Sequence, residues 1–390
     1  MVKKLLAVLV AAGVMATAPG ANAQETIRIG FLTPLSGPLS LLGREMEMGL
    51  DLALERLHNK IGGIPVKVYK VDSRMSAATA MQAATKLLEE DKINFLTGLL
   101  LSNQTIALAK PVTSKGVFML SATSGPGLLA GKGCNPNVFV LSWENEGPSE
   151  AIGKYMAQQH VKSVFAISQN YVTGRDHVRG VWYYYKGKRV GEAYVPRRQV
   201  DYSAEIARIR AANPEAVFMF LPGRGGIAFL KQMDGAGLMK KIKIFGGSWV
   251  ADEHSFKALG DSAIGIQVSN PWFAQLDNPA NKAFVAAFRK KHGRNPVFYA
   301  AFQYDAINLL NAAVKEAGGI KDKAKLRAAL EHANFHSVRG RFRFNVNHYP
   351  IQDEYIARVV KKNGVLQHQV IGKAFVDQKD RYYTQCKMPK

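Results

Sequence analysis

Beyond its first two dozen residues the chain alternates between short apolar runs and segments with a 3.6-residue period. Ile27–Leu32 reads as a strand and Thr33-Pro34-Leu35-Ser36-Gly37-Pro38 as a turn. The stretch after Gly43 places Met46, Leu50, Ala53, Leu54 and Leu57 on one helical face. Gly62-Gly63 is expected to end that helix, with Val66, Val68 and Val71 opening the next strand. A helix over Ala77–Asp91 and strands at Ile93–Leu96, Val117–Leu120 and Val138–Leu141 continue the series. Such a succession folds as an α/β unit around a mostly parallel sheet.

The series then starts again. Helices are expected at Pro148–His160, Arg175–Tyr185, Ala204–Ala211 and Gly226–Ala236. Between and after them come strands at Val164–Ser168, Ala193–Val195, Ala216–Leu221, Ile242–Phe245 and Ile264–Val268. Two successive units of similar length imply two similar lobes. After Pro271 follow amphipathic helices Pro279–His292 and Pro296–Ala317, a shorter one at Lys323–His332 and a strand at Arg341–Asn345. Tyr355–Val360 and Val365–Ile371, around Asn363-Gly364, read as a β-hairpin.

Lys3 and Lys4, the apolar stretch Leu5–Met15 and Ala21-Asn22-Ala23 form a secretory leader over residues 1–23. No cysteine stands directly after the cleavage site, so no lipid anchor is implied, and no later apolar run reaches the ~20 residues that span a bilayer. The mature chain is expected to be soluble in the periplasm. The formal net charge of the full sequence, +22, is spread along the chain, with pairs only at places such as Arg197-Arg198 and Lys240-Lys241. A scattered excess of this kind favours anions or acidic surfaces over nucleic acid. Cys134 and Cys386 are the two cysteines. In an oxidising compartment one disulfide between them would pin the C-terminal tail to the Gly131–Asn137 loop; two free thiols are the alternative.

Three enzyme signals nearly form. Gly131-Lys132 lacks the first glycine of a phosphate loop, where Pro126 stands, and the hydroxyl residue after the lysine. His332 and His336 have zinc-pair spacing without the intervening glutamate or a third ligand. Gly223-Arg224-Gly225-Gly226 lacks dinucleotide spacing. No catalytic residue, metal or cofactor is expected. Binding explains more. The stretch Asn94–Thr105 reads as a strand, a turn and a helix start, where unpaired backbone N–H groups, the helix dipole, Ser102 and Asn103 can hold a carboxylate. Ser102 serves equally well as a plain helix cap. A second such turn holds Ala122 and Ser124. Leu42, Trp143, Tyr171, Gly223, Ser248 and Trp249 stand at or near other strand ends and complete the candidate set, each aromatic being also an ordinary core residue.

Over its mature length the chain resembles the periplasmic solute-binding proteins of the leucine/isoleucine/valine type, receptors of ABC importers. The resemblance is carried by Ile29-Gly30-Phe31-Leu32-Thr33-Pro34-Leu35-Ser36-Gly37-Pro38 and Asn59-Lys60-Ile61-Gly62-Gly63-Ile64. The Ser102 and Ser124 turns, Asn170-Tyr171 and Tyr304-Asp305-Ala306 add to it. It implies two doubly wound lobes on a three-segment hinge, with crossings near Ser142–Asn145, Asn270–Phe273 and Val346–Pro350. The lobes would comprise residues 24–143 plus 272–347 and residues 144–271 plus 348–390. It further implies a monomer that delivers a small molecule to an inner-membrane permease. Ser102, Ala122 and Ser124 match the carboxylate-holding residues of the amino-acid binders, Leu42 a frequent aromatic and Tyr171 an aromatic of the second lobe. The acid that meets the ligand's ammonium group there has no counterpart here, since Gly246-Gly247-Ser248-Trp249 offers none before Asp252. An unpaired buried ammonium costs about 3 kcal/mol or more, which favours an aromatic acid over an amino acid. An amino-acid receptor and a sensor feeding a membrane kinase are the alternatives.

Overall fold

The computed structural model describes residues 25–388; the leader expected over residues 1–23 lies outside them. The chain begins with β1 (Ile27–Thr33), α1 (Ser40–Arg56), β2 (Lys60–Ile61), β3 (Ile64–Asp72) and α2 (Ala77–Glu89). There follow β4 (Phe95–Gly98), α3 (Ser102–Thr113), β5 (Phe118–Ser121), α4 (Gly127–Ala130) and β6 (Val138–Val140). Their sheet runs β2-β3-β1-β4-β5-β6 and is parallel except between β2 and β3. Phe31, Leu32, Phe95 and Leu96 are buried in its centre, as a sheet covered on both faces requires.

The second unit contains α5 (Gly147–Gln158), β7 (Ser163–Gln169), α6 (Val172–Tyr184), β8 (Lys188–Val195) and α7 (Ser203–Ala212). It continues through β9 (Ala216–Phe220), α8 (Arg224–Gly235), β10 (Lys243–Gly247), α9 (Glu253–Leu259) and β11 (Gln267–Asn270). The chain then returns for α10 (Pro279–His292), α11 (Phe298–Ala317), α12 (Lys323–His332) and β12 (Arg343–Phe344), and ends in β13 (Pro350–Lys362) and β14 (Val365–Gln378). α11 packs along α1 and β2 of the first unit. The second sheet has a parallel body, β8-β7-β9-β10-β11, to which β13 adds antiparallel, pairing also with β12 and β14. The fold is thus two doubly wound lobes, with the chain passing between them after β6, after β11 and ahead of β13.

A buried polar hub ties two of these passages together. Asp305 of α11 accepts from Ser337 Oγ at 2.5 Å and from the Val338 amide at 3.0 Å, and pairs with Arg339 at 3.2 Å. Arg339 donates to the Leu141 carbonyl and to Gln352 Oε1, while Gln352 Nε2 donates to the Ser142 carbonyl at 2.6 Å. A fourth connection runs through the tail. Arg381 pairs with Glu146 and Glu150 at the start of α5, and the Tyr382 hydroxyl donates to Glu146 at 2.5 Å. Asn347 donates to Asp380 at 2.9 Å, and Cys386 is disulfide-bonded to Cys134 in the loop between α4 and β6.

Two expectations at glycines need correction. α1 begins at Ser40, ahead of Gly43, because that glycine lets the first helical turn press on the Pro34 carbonyl, which a Cβ would meet at 1.9 Å. Gly62-Gly63 does not end α1, which stops at Arg56. With φ of 59° and 86° the two glycines form the tight turn of the β2–β3 hairpin. α4 and α9 were not expected; α9 is set by a capping box between Asp252 and Ser255.

Candidate functional site

Between the lobes, at the carboxyl ends of the parallel strands, lies a narrow cavity of about 40 Å³. The first lobe supplies Leu39 and Leu42 at the start of α1, Leu100 and Leu101 between β4 and α3, Ser102 as the first residue of α3, and Thr123 after β5. Trp143 and Asn145 come from the first passage, and Tyr299 from α11. The second lobe supplies Tyr171, Thr173 and His177 around the first half of α6, Phe220 at the end of β9 with Pro222 beyond it, and Trp249 after β10.

The polar end is built by an unusual turn. Gly98 and Leu99 both take left-handed backbone conformations, with φ of 94° and 60°, and so swing the chain from β4 into α3. For a leucine that conformation costs about 1–2 kcal/mol. Leu101 occupies the cap position of α3 and offers no side-chain acceptor; Ser102 is therefore the first helical residue and not the cap. The opening N–H groups of α3 have no acceptor within the helix, and they add the positive end of the helix dipole to this wall.

Ser102 is oriented from behind. Its Oγ accepts from Asn145 Nδ2 at 3.1 Å and lies 3.0 Å from Ser124 Oγ, itself 2.9 Å from Thr105 Oγ1. Asn145 is fixed in turn, its Oδ1 accepting from the Gly125 amide at 3.2 Å and its Nδ2 donating to Asp176 at 2.8 Å. Asp176 pairs with Arg179 at 2.7 Å. Because Asn145 Nδ2 fills an acceptor position on Ser102, the Ser102 hydroxyl proton is left to donate to Ser124 at 3.0 Å, to Asn145 Oδ1 at 3.5 Å or to a bound oxygen anion.

The other walls are aromatic. Trp143 and Trp249 face each other from the hinge and the second lobe with ring centres 6.2 Å apart, and Trp143 also packs on Phe298 and Phe302 at 5.4 Å each. Trp249 donates to the Met219 carbonyl at 3.3 Å and packs edge-on to Phe220 at 5.1 Å. The His177 ring is stacked on Phe220 at 4.0 Å and touches Trp249 at 4.4 Å, with Nδ1 2.7 Å from Ser149 Oγ. Burial holds this imidazole well below its usual range, so it is neutral at pH 7. Burial also raises the Tyr171 phenol to about 12, against the pull of Arg197, whose guanidinium lies 5.2 Å over the ring.

Of the residues expected at the site, Leu42, Ser102, Trp143, Tyr171 and Trp249 line this cavity. Ser124 stands behind Ser102, Ala122 is fully buried in the turn after β5, and Asn103 is half-buried in the first turn of α3. Gly223 joins the lobes instead: lacking a Cβ, it leaves room for Leu39, the residue that precedes α1, which a Cβ would meet at 3.2 Å. Ser248 bonds Asn270 and borders a separate small cavity with Asp252, Trp272 and His368. Asp252 spends its carboxylate on capping α9, accepting from the His254 and Ser255 amides at 3.0 and 3.1 Å. Among the described residues no carboxylate lines the main cavity. Asn145, His177, Phe220 and Tyr299 were not foreseen. Asn145 follows Trp143 by two residues and was within reach of the sequence reading, whereas nothing near His177 marks it.

Comparison with known proteins gives a consistent picture. A family model described as periplasmic binding protein matches residues 26–364. A "Leu/Ile/Val-binding protein homolog 6" of Brucella melitensis is 27% identical over 345 residues, covering 85% of this chain and 87% of that one. A solute-binding protein of an ABC transporter from R. palustris, solved in complex with benzoate, superposes with a TM-score of 0.88 at 28% identity, covering 93% of this chain and 100% of that one. Another, from Rhodopseudomonas palustris BisB5 in complex with 3,4-dihydroxybenzoic acid, gives 0.86 at 27%, covering 91% and 99%.

Proposed function

The chain belongs to the periplasmic binding protein family, and on that premise we propose that it is the periplasmic receptor of an ABC importer for an aromatic carboxylic acid. The carrying observation is the cavity's division of chemistry. Ser102 and the open end of α3 give donors on one side, Trp143, Trp249, Phe220 and Tyr171 give flat apolar faces on the other, and no carboxylate among the described lining residues awaits an ammonium group. A carboxylate at Ser102 is favoured by charge-assisted hydrogen bonds worth roughly 1.5–3 kcal/mol each. The structural neighbours solved with benzoate and with 3,4-dihydroxybenzoic acid support this ligand class. The receptor acts as a monomer that closes over its ligand and presents it to an inner-membrane permease.

Calorimetry with benzoate-type and cinnamate-type acids, their neutral amides, leucine and phenylalanine tests this reading. An aryl carboxylate is expected to bind while its amide and both amino acids do not. Ser102→Ala should weaken the acid about tenfold or more, the loss of one charge-assisted bond. A second reading, an amino-acid receptor, is favoured by the name of the Brucella relative and by Asp252, whose charge is felt by Tyr299 at the cavity wall. Micromolar binding of leucine, lost in Asp252→Asn, would establish that reading and overturn ours.

A further inference from the structure

Among the polar groups of the cavity, His177 stands outside the hydrogen-bonded chain that joins Ser102 to Ser124, Thr105, Asn145 and Asp176. It is 1% exposed, on the second lobe, clamped between Phe220 and Trp249. Its Nδ1 is engaged by Ser149 Oγ at 2.7 Å from α5, which leaves Nε2 as the ring nitrogen available to a ligand in the cavity that His177 lines. From this geometry we infer that His177 is a specificity-determining residue, and that the receptor selects aryl carboxylates carrying a ring hydroxyl over the unsubstituted acid. The inference rests on the aromatic-acid reading above.

The chemistry of the pair is what singles out a hydroxyl. If Ser149 donates to Nδ1, then Nε2 carries the proton and is a donor; if Ser149 accepts, Nε2 is an acceptor. A phenolic hydroxyl both donates and accepts, so it satisfies Nε2 in either tautomer. A ring hydrogen or methyl satisfies neither and leaves a desolvated nitrogen without a partner. Sites built to bond a hydroxyl reject the analogue lacking it for this reason, whereas purely apolar pockets discriminate weakly. Trp143, Trp249 and Phe220 give the ring its stacking surface but cannot tell the two ligands apart.

The test is calorimetry of benzoate against its 3-hydroxy and 4-hydroxy derivatives, on wild type and on His177→Leu, with His177→Gln as a second variant of similar polarity. Wild type is expected to bind at least one hydroxylated acid about tenfold or more tighter than benzoate, the penalty for an unsatisfied buried polar group. His177→Leu should abolish that ratio chiefly by losing the hydroxylated ligand. His177→Gln should keep part of it, and serves in its place if the leucine variant does not fold. Equal binding of benzoate and both derivatives by wild type, or an unchanged ratio in a folded His177→Leu, would overturn the inference and leave the aromatic-acid reading standing. Absence of binding by every aryl acid, with leucine bound, would overturn both.

Discussion

His368 shows what a single buried titratable side chain does to this protein. Its Nε2 bonds the Ala251 carbonyl at 2.7 Å, and Phe273 and Phe256 pack on it at 5.1 and 5.3 Å. Burial lowers its pKa to about 4, so the folded protein holds it neutral where the unfolded chain would take up a proton. The unfolded state therefore binds more protons below about pH 6.5, and stability present above that pH is lost as pH falls towards 4, by up to about 1.4 kcal/mol per pH unit. Glu144 and Glu354, pushed up by burial, act in the opposite sense, so the slope must be isolated by difference. Urea titrations between pH 7 and 4 should show wild type losing more stability than His368→Gln; parallel curves would remove His368 as the cause. At this scale the sequence revealed side chains next to turn signals, such as Ser102 and Trp249. It hid His177 and His368, because a lone histidine in a helix or strand carries no pattern. Their role depends on elements distant in sequence: Ser149 and Phe220 for one, Ala251 and Phe273 for the other.

Helices α1 and α11 illustrate the next scale. They lie so close at Gly49 that a Cβ there would stand 2.2 Å from the Ala300 carbonyl oxygen. That oxygen is backbone and cannot swing aside. Gly49→Ala should thus destabilise the protein by about 1–3 kcal/mol despite alanine's better helix propensity. A denaturation midpoint equal to wild type would show that the pair separates freely. Legibility of an element followed its ends. α10 and α12 came out of the sequence with their observed limits because Asn278 and Asp322 cap their first turns, and Gly293 closes α10 in a left-handed conformation. α1 did not, since Gly43 looks like a break when its neighbour across the turn is unknown. β13 and β14 extend well beyond the expected hairpin, their outer parts being paired to each other through irregular register that no local periodicity announces.

For the molecule as a whole, the two-lobe plan was readable from the repeated alternation. The way the lobes meet was not, because Gly223 on Leu39 and Asn145 on Ser102 are contacts between distant segments. Ligand favours the closed arrangement only through contacts that the open one lacks. Small-angle scattering with a bound aryl acid should give a smaller radius of gyration than without, and an unchanged radius at saturation would count against closure about the three passages. The tail bears on this molecule in another way. The Cys134–Cys386 bond closes a loop across a sequence separation of 252 residues, which includes every passage between the lobes. Within that loop a protease can sever any one peptide bond without releasing a fragment. A chain nicked once there should keep its full mass under denaturing, non-reducing conditions and fall into two pieces only when a thiol is added. The chain's covalent integrity thus survives a single cut, a form of tolerance suited to the periplasmic role proposed for it.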